Sequence, residues 1–472
     1  MRALDGLWDR LGIAVTLRTL AAGRRFTTDV ERVAFALVAN RALEPASKLA
    51  ATQWVAERAW IGGLAAVTDD ACYRAMDWLL DIHDELAEQT YWATADLLNL
   101  EVDLLFFDTT STYFETDTAD PSGEASVGFR SYGKSKDHRP DLPQIIVGMA
   151  VTRSGIPILV WMWPGNTGDS PLIREVKDDL RAWKLGRVVW VTDRGFASAA
   201  NRRYLQRAGG HYICGEKLRG DSPEAAAALA RQGRYRTVAG NLRVKQVVVD
   251  DGVMRDRYVV GHNPDAADRD ATVRDQLLAR LVEAIADTDR LATADRAAVA
   301  ARLPTGLRRL LRTTGAGRLR IDRAAVAAEA KLDGKFLLRT SDPTLSAEDV
   351  AWGYKQLLEV ERGWRDMKST LELRPVFHRL EDRIRAHVIL CWLALLLIRV
   401  AETETGDTWR RLRHELDRLH VGMFTGPAGT SPSALTSPVG NRRSCAHSTS
   451  TRHRASSTSI PPAAADPRAA RA

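Results

Sequence analysis

The chain has 472 residues, 45% hydrophobic and 27% charged, enough for two or three domains around a large core. Its formal charge of +7 is uneven: six arginines and one aspartate follow residue 420, so +5 lies in the tail and +2 remains for the first 420 residues. A body so nearly balanced is excluded as a uniformly basic nucleic-acid binder, and any such contact must use local patches. Cys72, Cys214, Cys391 and Cys445 form no C-x-x-C pair, so neither a zinc site nor a disulfide framework is expected. The longest apolar run, 388–398, has eleven residues, short of the ~20 that span a bilayer, and the start lacks the apolar segment of a signal peptide. The expectation is a cytoplasmic protein without a membrane partner.

Residues 1–100 read as helical. Leu4, Leu7, Leu11 and Ile13 begin one amphipathic segment and 28–42 forms another, with Thr28 as N-cap and Glu31 completing a capping box. This region suits either a DNA-end reader or a helical packing domain. Residues 102–115 change to β-branched and aromatic types and predict a buried strand containing Asp108. A carboxylate there needs a metal or a partner, or hydrogen bonds from Thr109, Thr110 or Ser111. The polar loop 116–143 carries Arg130, Lys134, Lys136, His138 and Arg139, a phosphate patch or an ordinary exposed loop. Strands 144–151 and 156–163 form a hairpin, the PGNTGDS loop follows, and a helix covers 171–185.

A short strand at 188–191 ends at Asp193, too early to cap a helix starting near 198. Ligands collect at such strand ends in α/β sheets. After a strand at 211–218, residues 219–345 read as an insertion domain, mostly strands, with a hairpin around Asp251-Gly252 and a helix over 270–302. Its arginines (Arg308, Arg309, Arg312, Arg318, Arg320) are either DNA contacts or solvated surface. The catalytic part resumes over 346–420. In one predicted helix, Leu357, Val360, Trp364, Met367 and Leu371 form the apolar stripe, and Tyr354, Glu361 and Lys368, seven residues apart, line the adjoining face with Arg365 one turn after Glu361. The run 388–398 is a central core helix. The tail 421–472 is too poor in large apolar residues to order itself and is expected to be disordered, or to be a frame-shifted end.

Strand with Asp108, hairpin, strand with Asp193, helix, insertion, helix with Glu361: this order predicts an α/β fold with a ribonuclease-H-like mixed sheet, interrupted by the insertion and preceded by the helical region 1–100. Three carboxylates brought together suit two Mg²⁺ ions, or Mn²⁺, which accepts the same oxygen ligands. On FDTTSTYFE, YGKSKDHRPDLPQ, PGNTGD, VTDRGF and YKQLLEVERGWRDMKSTLELRPVFHRLEDRIRAHV, the sequence resembles the DDE transposases of bacterial insertion sequences, in the group with a Tyr-Arg-Glu-Lys signature, over roughly 1–420. The resemblance implies Asp108, Asp193 and Glu361 as catalytic metal ligands and Tyr354 and Lys368 as contacts to the transposon end. Arg365, Lys134, Lys136 and Arg139 are further candidate DNA contacts under that resemblance. It implies metal-dependent cleavage at terminal inverted repeats, transfer of the 3′ ends into double-stranded target DNA, a homodimeric synapse, and work at the nucleoid. The signature arginine is Leu357 here, and Arg362 or Arg365 are its candidate substitutes. The rival readings are a nuclease on the same core that cuts without joining, and an inactive DNA-binding remnant.

Overall fold

The computed structural model describes residues 1–100, 104–123, 127–220, 222–250 and 255–418, and the backbone of 420–426 and 429–435. Six helices come first: α1 (Arg2–Arg10), α2 (Ile13–Ala21), α3 (Val30–Leu43), α4 (Lys48–Glu57), α5 (Asp69–Asp81) and α6 (His83–Leu98). The cap of α3 is Asp29, whose carboxylate accepts from the Glu31 and Arg32 amides, not Thr28. Glu31 does not close a capping box. It is buried and accepts from the Trp8 indole at 2.7 Å and from Arg18 and Arg32.

The centre is built from β1 (Leu104–Tyr113), β2 (Gln144–Thr152), β3 (Pro157–Pro164), α7 (Asp169–Arg181), β4 (Val189–Thr192), α8 (Ala199–Leu205) and β5 (His211–Glu216). β1, β2 and β3 pair antiparallel, while β4 lies parallel to β1 and β5 parallel to β4. The spatial order β3-β2-β1-β4-β5 is the ribonuclease-H-like sheet expected. β2 is buried at all of its positions, as in a strand covered on both faces. At Gly148, opposite Thr109, a side chain would strike Trp163 and Phe107, so only glycine lets these rings close over the sheet.

Residues 219–345, expected to be mostly strands, hold more helix than strand. They contain α9 (Pro223–Ala230), β6 (Arg236–Ala239), β7 (Leu242–Asp250), β8 (Arg255–His262), α10 (Pro264–Ile285), α11 (Thr293–Arg302), α12 (Thr305–Arg308), β9 (Leu311–Thr313), β10 (Leu319–Ile321), α13 (Arg323–Ala330) and β11 (Lys335–Thr340). Alanine, the best helix former, is dense in this stretch, and Ser222, Asn263 and Asp322 cap its helices. The β7–β8 hairpin is present, and its Asp251-Gly252 turn lies outside the described residues. The strands are not a sheet apart: β11 pairs with both β5 and β8, extending the order to β5-β11-β8-β7-β6 and making nine strands in all.

The chain then forms α14 (Ala347–Lys355), α15 (Leu358–Ser369), α16 (Glu381–Thr405), α17 (Trp409–Leu416), β12 (His420–Gly426) and β13 (Gly429–Leu435). α16 is long and apolar enough to cross a membrane by composition, but it is buried against α3, α5 and β3. One hydrophobic core therefore runs from Leu4 to Leu412, uniting the N-terminal helices with the sheet. The tail expected to be disordered from 421 opens with the β12–β13 hairpin, and residues 436–472 lie outside the described residues.

Candidate functional site

The ladder between β1 and β4 ends on the pair Phe107↔Thr192, so Asp108 and Asp193 leave it side by side. Asp193 caps a single 3₁₀ turn, Arg194–Phe196, by accepting from the Gly195 amide, whereas α8 is capped by Ser198. Asp193 lies too early to cap α8, as the sequence predicts, and caps the intervening turn as well as following the strand. Phe196 in that turn is buried and meets Phe107 edge-on at 5.3 Å between ring centroids. That contact pins the turn carrying Asp193 to the strand carrying Asp108.

Burial pushes the Asp108 carboxyl up to about 6, and the negative charges of Asp193 and Asp169 add to the effect. Lys136 and the Thr109 amide pull the other way. Lys136 Nζ donates to the Thr109 carbonyl at 2.7 Å and pairs with Asp169 at 3.1 Å, while the Thr109 hydroxyl donates to Asp169 at 2.8 Å. Asp169 is a fourth carboxylate, and it opens α7 where the sequence predicts a loop. Its only signal was its place in the PGNTGD motif.

The helix expected to carry Tyr354, Glu361, Arg365 and Lys368 is two helices. The Leu357 amide bonds to the Tyr354 carbonyl, and the Glu359 and Val360 amides also reach back only three residues. This tightened turn separates α14 from α15. Tyr354 ends up on α14 against β5, where a side chain at Gly215 would overlap its ring. Burial pushes its phenol up to about 12, and the charges of Asp193 and Glu361 act in the same direction. Tyr354 is thus within electrostatic reach of both carboxylates. Glu361 is exposed in the first turn of α15, which packs on β1 and β2. Leu357 is buried, and Arg362 is turned to Glu402 of α16 at 2.8 Å. Arg365 is exposed and carries no ion pair among the described residues.

The remaining cations divide by partner. Lys368 pairs with Asp137 at 2.8 Å, and Arg374 meets the same carboxylate at 3.1 Å. Arg374 also lies over the Tyr113 ring at 4.4 Å, with Arg139 over the same ring at 5.2 Å. Arg139 pairs with Asp141 at 2.7 Å, and Lys134 is exposed. Lys136 is committed to Thr109 and Asp169, inside the site. The loop after β1 therefore docks through Asp137 onto the end of α15, a link that neither segment's sequence announces.

The structure sets Asp108 under the charge of both Asp193 and Asp169 and leaves Glu361 on α15, which packs on β1 and β2. Among the described residues no three His, Cys, Asp or Glu side chains are grouped to hold one metal ion. The pair Asp108–Asp193 nevertheless fits a divalent cation: two hard oxygen donors, one half-buried and already resisting ionisation, with the Lys136 charge nearby. One carboxylate inside β1 where its parallel pairing with β4 stops, and one just past the end of β4, thus form the candidate centre of this mixed sheet. A match to the family described as Transposase DDE domain covers residues 107–397, and the chain belongs to that family. Comparison with curated proteins gives no match. Among solved structures, it is similar to a piggyBac transposase synaptic complex with hairpin DNA, seen by cryo-electron microscopy. That similarity has 10% identity over 88% of this chain and 78% of that one, with a TM-score of 0.40. It is also similar to a Mos1 transposase paired-end complex with the left transposon end, at 14% identity over 38% of this chain and 76% of that one, with a TM-score of 0.15.

Proposed function

We propose that this transposase cuts double-stranded DNA at the terminal inverted repeats of an insertion sequence and joins the 3′ ends to target DNA, a cut-and-paste reaction. Asp108, Asp193 and Glu361 are its catalytic carboxylates. The observation that carries this is the parallel β1–β4 register, which sets Asp108 beside Asp193 within the family's matched region. Asp108 and Asp193 would hold divalent metal, Mg²⁺ or Mn²⁺, with Glu361 as the third donor from α15. When bound, such ions supply charge that stabilises attacking and leaving oxygens at phosphorus. The protein supplies the rest. Lys136 fixes Asp169 and Thr109 around Asp108, Phe196 keeps Asp193 in place, and Tyr354 stands close to Asp193 and Glu361, where a phosphate oxygen would accept from its hydroxyl. Arg365, Lys134, Lys368 and Arg139 lie outward of this centre as contacts to the DNA backbone. Lys368 and Arg139 exchange carboxylate partners for phosphate as DNA arrives. A homodimer, each subunit cutting one end, is the assembly proposed, acting at the nucleoid.

The test is cleavage of DNA carrying the element's own end, in Mg²⁺ and in EDTA, with Asp193→Asn and Glu361→Gln beside the unmodified protein. Metal-dependent nicking at the boundary that both substitutions abolish, followed by strand-transfer products on target DNA, is the expected result. Nicking that survives both substitutions would overturn the assignment, and nicking without joining would make the protein a nuclease.

A further inference from the structure

α17 is short and strongly two-sided. Trp409 and Leu412 are buried against the body, while Arg410, Arg411 and His414 point to solvent. Between its outer face and α15 lies an open cavity of about 570 Å³. Arg362 and Arg365 line it from α15, and Arg410, Arg413 and His414 line it from α17. The acids in its wall are already engaged. Asp366 accepts from the buried Arg399 at 2.6 Å, and Glu402 is held by Arg399 and by Arg362 at 2.8 Å. Asp417 faces Arg413 at 3.7 Å. Arg365 and Arg410 are left without an ion pair among the described residues. The groove thus has a neutralised floor and two free guanidinium groups on opposite walls. One of them stands a single helical turn beyond Glu361.

Guanidinium forks match the oxygens of a phosphodiester, and free cations along a groove follow a backbone rather than a point ligand. We infer that the α15–α17 groove holds the sugar–phosphate backbone of duplex DNA whose cleaved strand lies at Glu361. The inference rests on the transposase reading above and adds α17 to the DNA-binding surface. Arg410 is its new residue, and Arg411 is its natural control. Arg411 lies on the same helix, outside the groove, and is paired with Asp407 at 3.2 Å.

The experiment titrates the full chain with a fluorescein-labelled duplex of arbitrary sequence, by anisotropy, across a salt series. Each phosphate contact contributes about one to the slope of log affinity against log salt. Arg410→Ala is expected to reduce the slope by about one and weaken low-salt binding several-fold. Arg365→Ala with Arg410→Ala should reduce it by about two. Arg410→Lys should retain the slope, and Arg411→Ala should leave it unchanged. Circular dichroism of each variant confirms folding, since Arg410 holds no other element in place. If the unmodified protein binds and Arg410→Ala binds with the same slope, the groove is not a DNA path. Equal losses in Arg410→Ala and Arg411→Ala would also overturn it, showing diffuse attraction instead. If the unmodified protein binds no duplex at all, the proposal of DNA cleavage and joining falls, and this inference with it.

Discussion

Asp108 carries the clearest energetic signature at the residue scale. In the folded chain its carboxyl titrates at about 6, against about 3.9 in an unfolded chain. Below about pH 4 it is protonated in both states and has no effect on stability. Between these values the folded state binds the extra proton, so stability falls as pH rises. Above about pH 6 the full penalty remains. Asp108→Asn is therefore expected to stabilise the metal-free protein at pH 8 by on the order of 1–2 kcal/mol, after discounting for its partial contact with solvent. The gain should vanish near pH 4, while cleavage is lost at every pH. Urea unfolding at pH 4, 6 and 8 checks this; a stabilisation that does not grow with pH would mean that Lys136 already neutralises the site. Mg²⁺ should stabilise the unmodified protein and leave Asp108→Asn less affected, because binding to the folded state alone shifts unfolding by mass action.

At the scale of single elements, local signals fix some boundaries and not others. The α3 boundary was legible, but of two adjacent capping types the structure uses Asp29, because Glu31 is drawn inward to Trp8 and Arg32. Asp29→Ala should cost about 1 kcal/mol and Thr28→Ala should cost little, measured by denaturant midpoints. A large cost at Thr28 with none at Asp29 would make Thr28 the cap instead. The break between α14 and α15 was not legible. The seven-residue spacing of Tyr354, Glu361 and Lys368 runs through the break unchanged, and the tightened turn at Leu357 arises where α14 must lie on β5 and α15 on β1 and β2. Gly215 makes room for Tyr354 there. Gly215→Val should displace the Tyr354 ring and destabilise by about 1–3 kcal/mol. Combining it with Tyr354→Ala should recover part of that loss, and a purely additive double variant would separate the two residues.

For the whole molecule, the insertion and the catalytic sheet are continuous. Arg339 on β11 pairs with Asp256 of β8 and reaches Glu216 of β5 at 3.5 Å, and Arg202 meets the same glutamate at 3.4 Å. The Arg339 and Asp256 side chains are almost wholly buried, so removing one charge strands the other. Asp256→Ala should cost about 3–5 kcal/mol. All thirteen tryptophans lie outside residues 219–345, so their fluorescence reports on the rest of the chain alone. If the sheet unfolds as one unit, Asp256→Ala lowers the fluorescence midpoint although the substitution is in the insertion. An unchanged midpoint, with a new transition in circular dichroism, would show two independent units.

The sequence by itself determined the order of the core elements along the chain, Asp108 within β1, Asp193 just past β4, the core helix α16 and the family. Each of these rests on local composition or on a short run of adjacent residues. It did not contain the Asp137 link from the basic loop to Lys368, the entry of Asp169 beside Asp108, the division of the signature helix, or the joining of the insertion to the main sheet. Those are contacts between segments distant in the chain, where several partners satisfy the same local pattern. Only burial and the competition of charges for one another in three dimensions select among them.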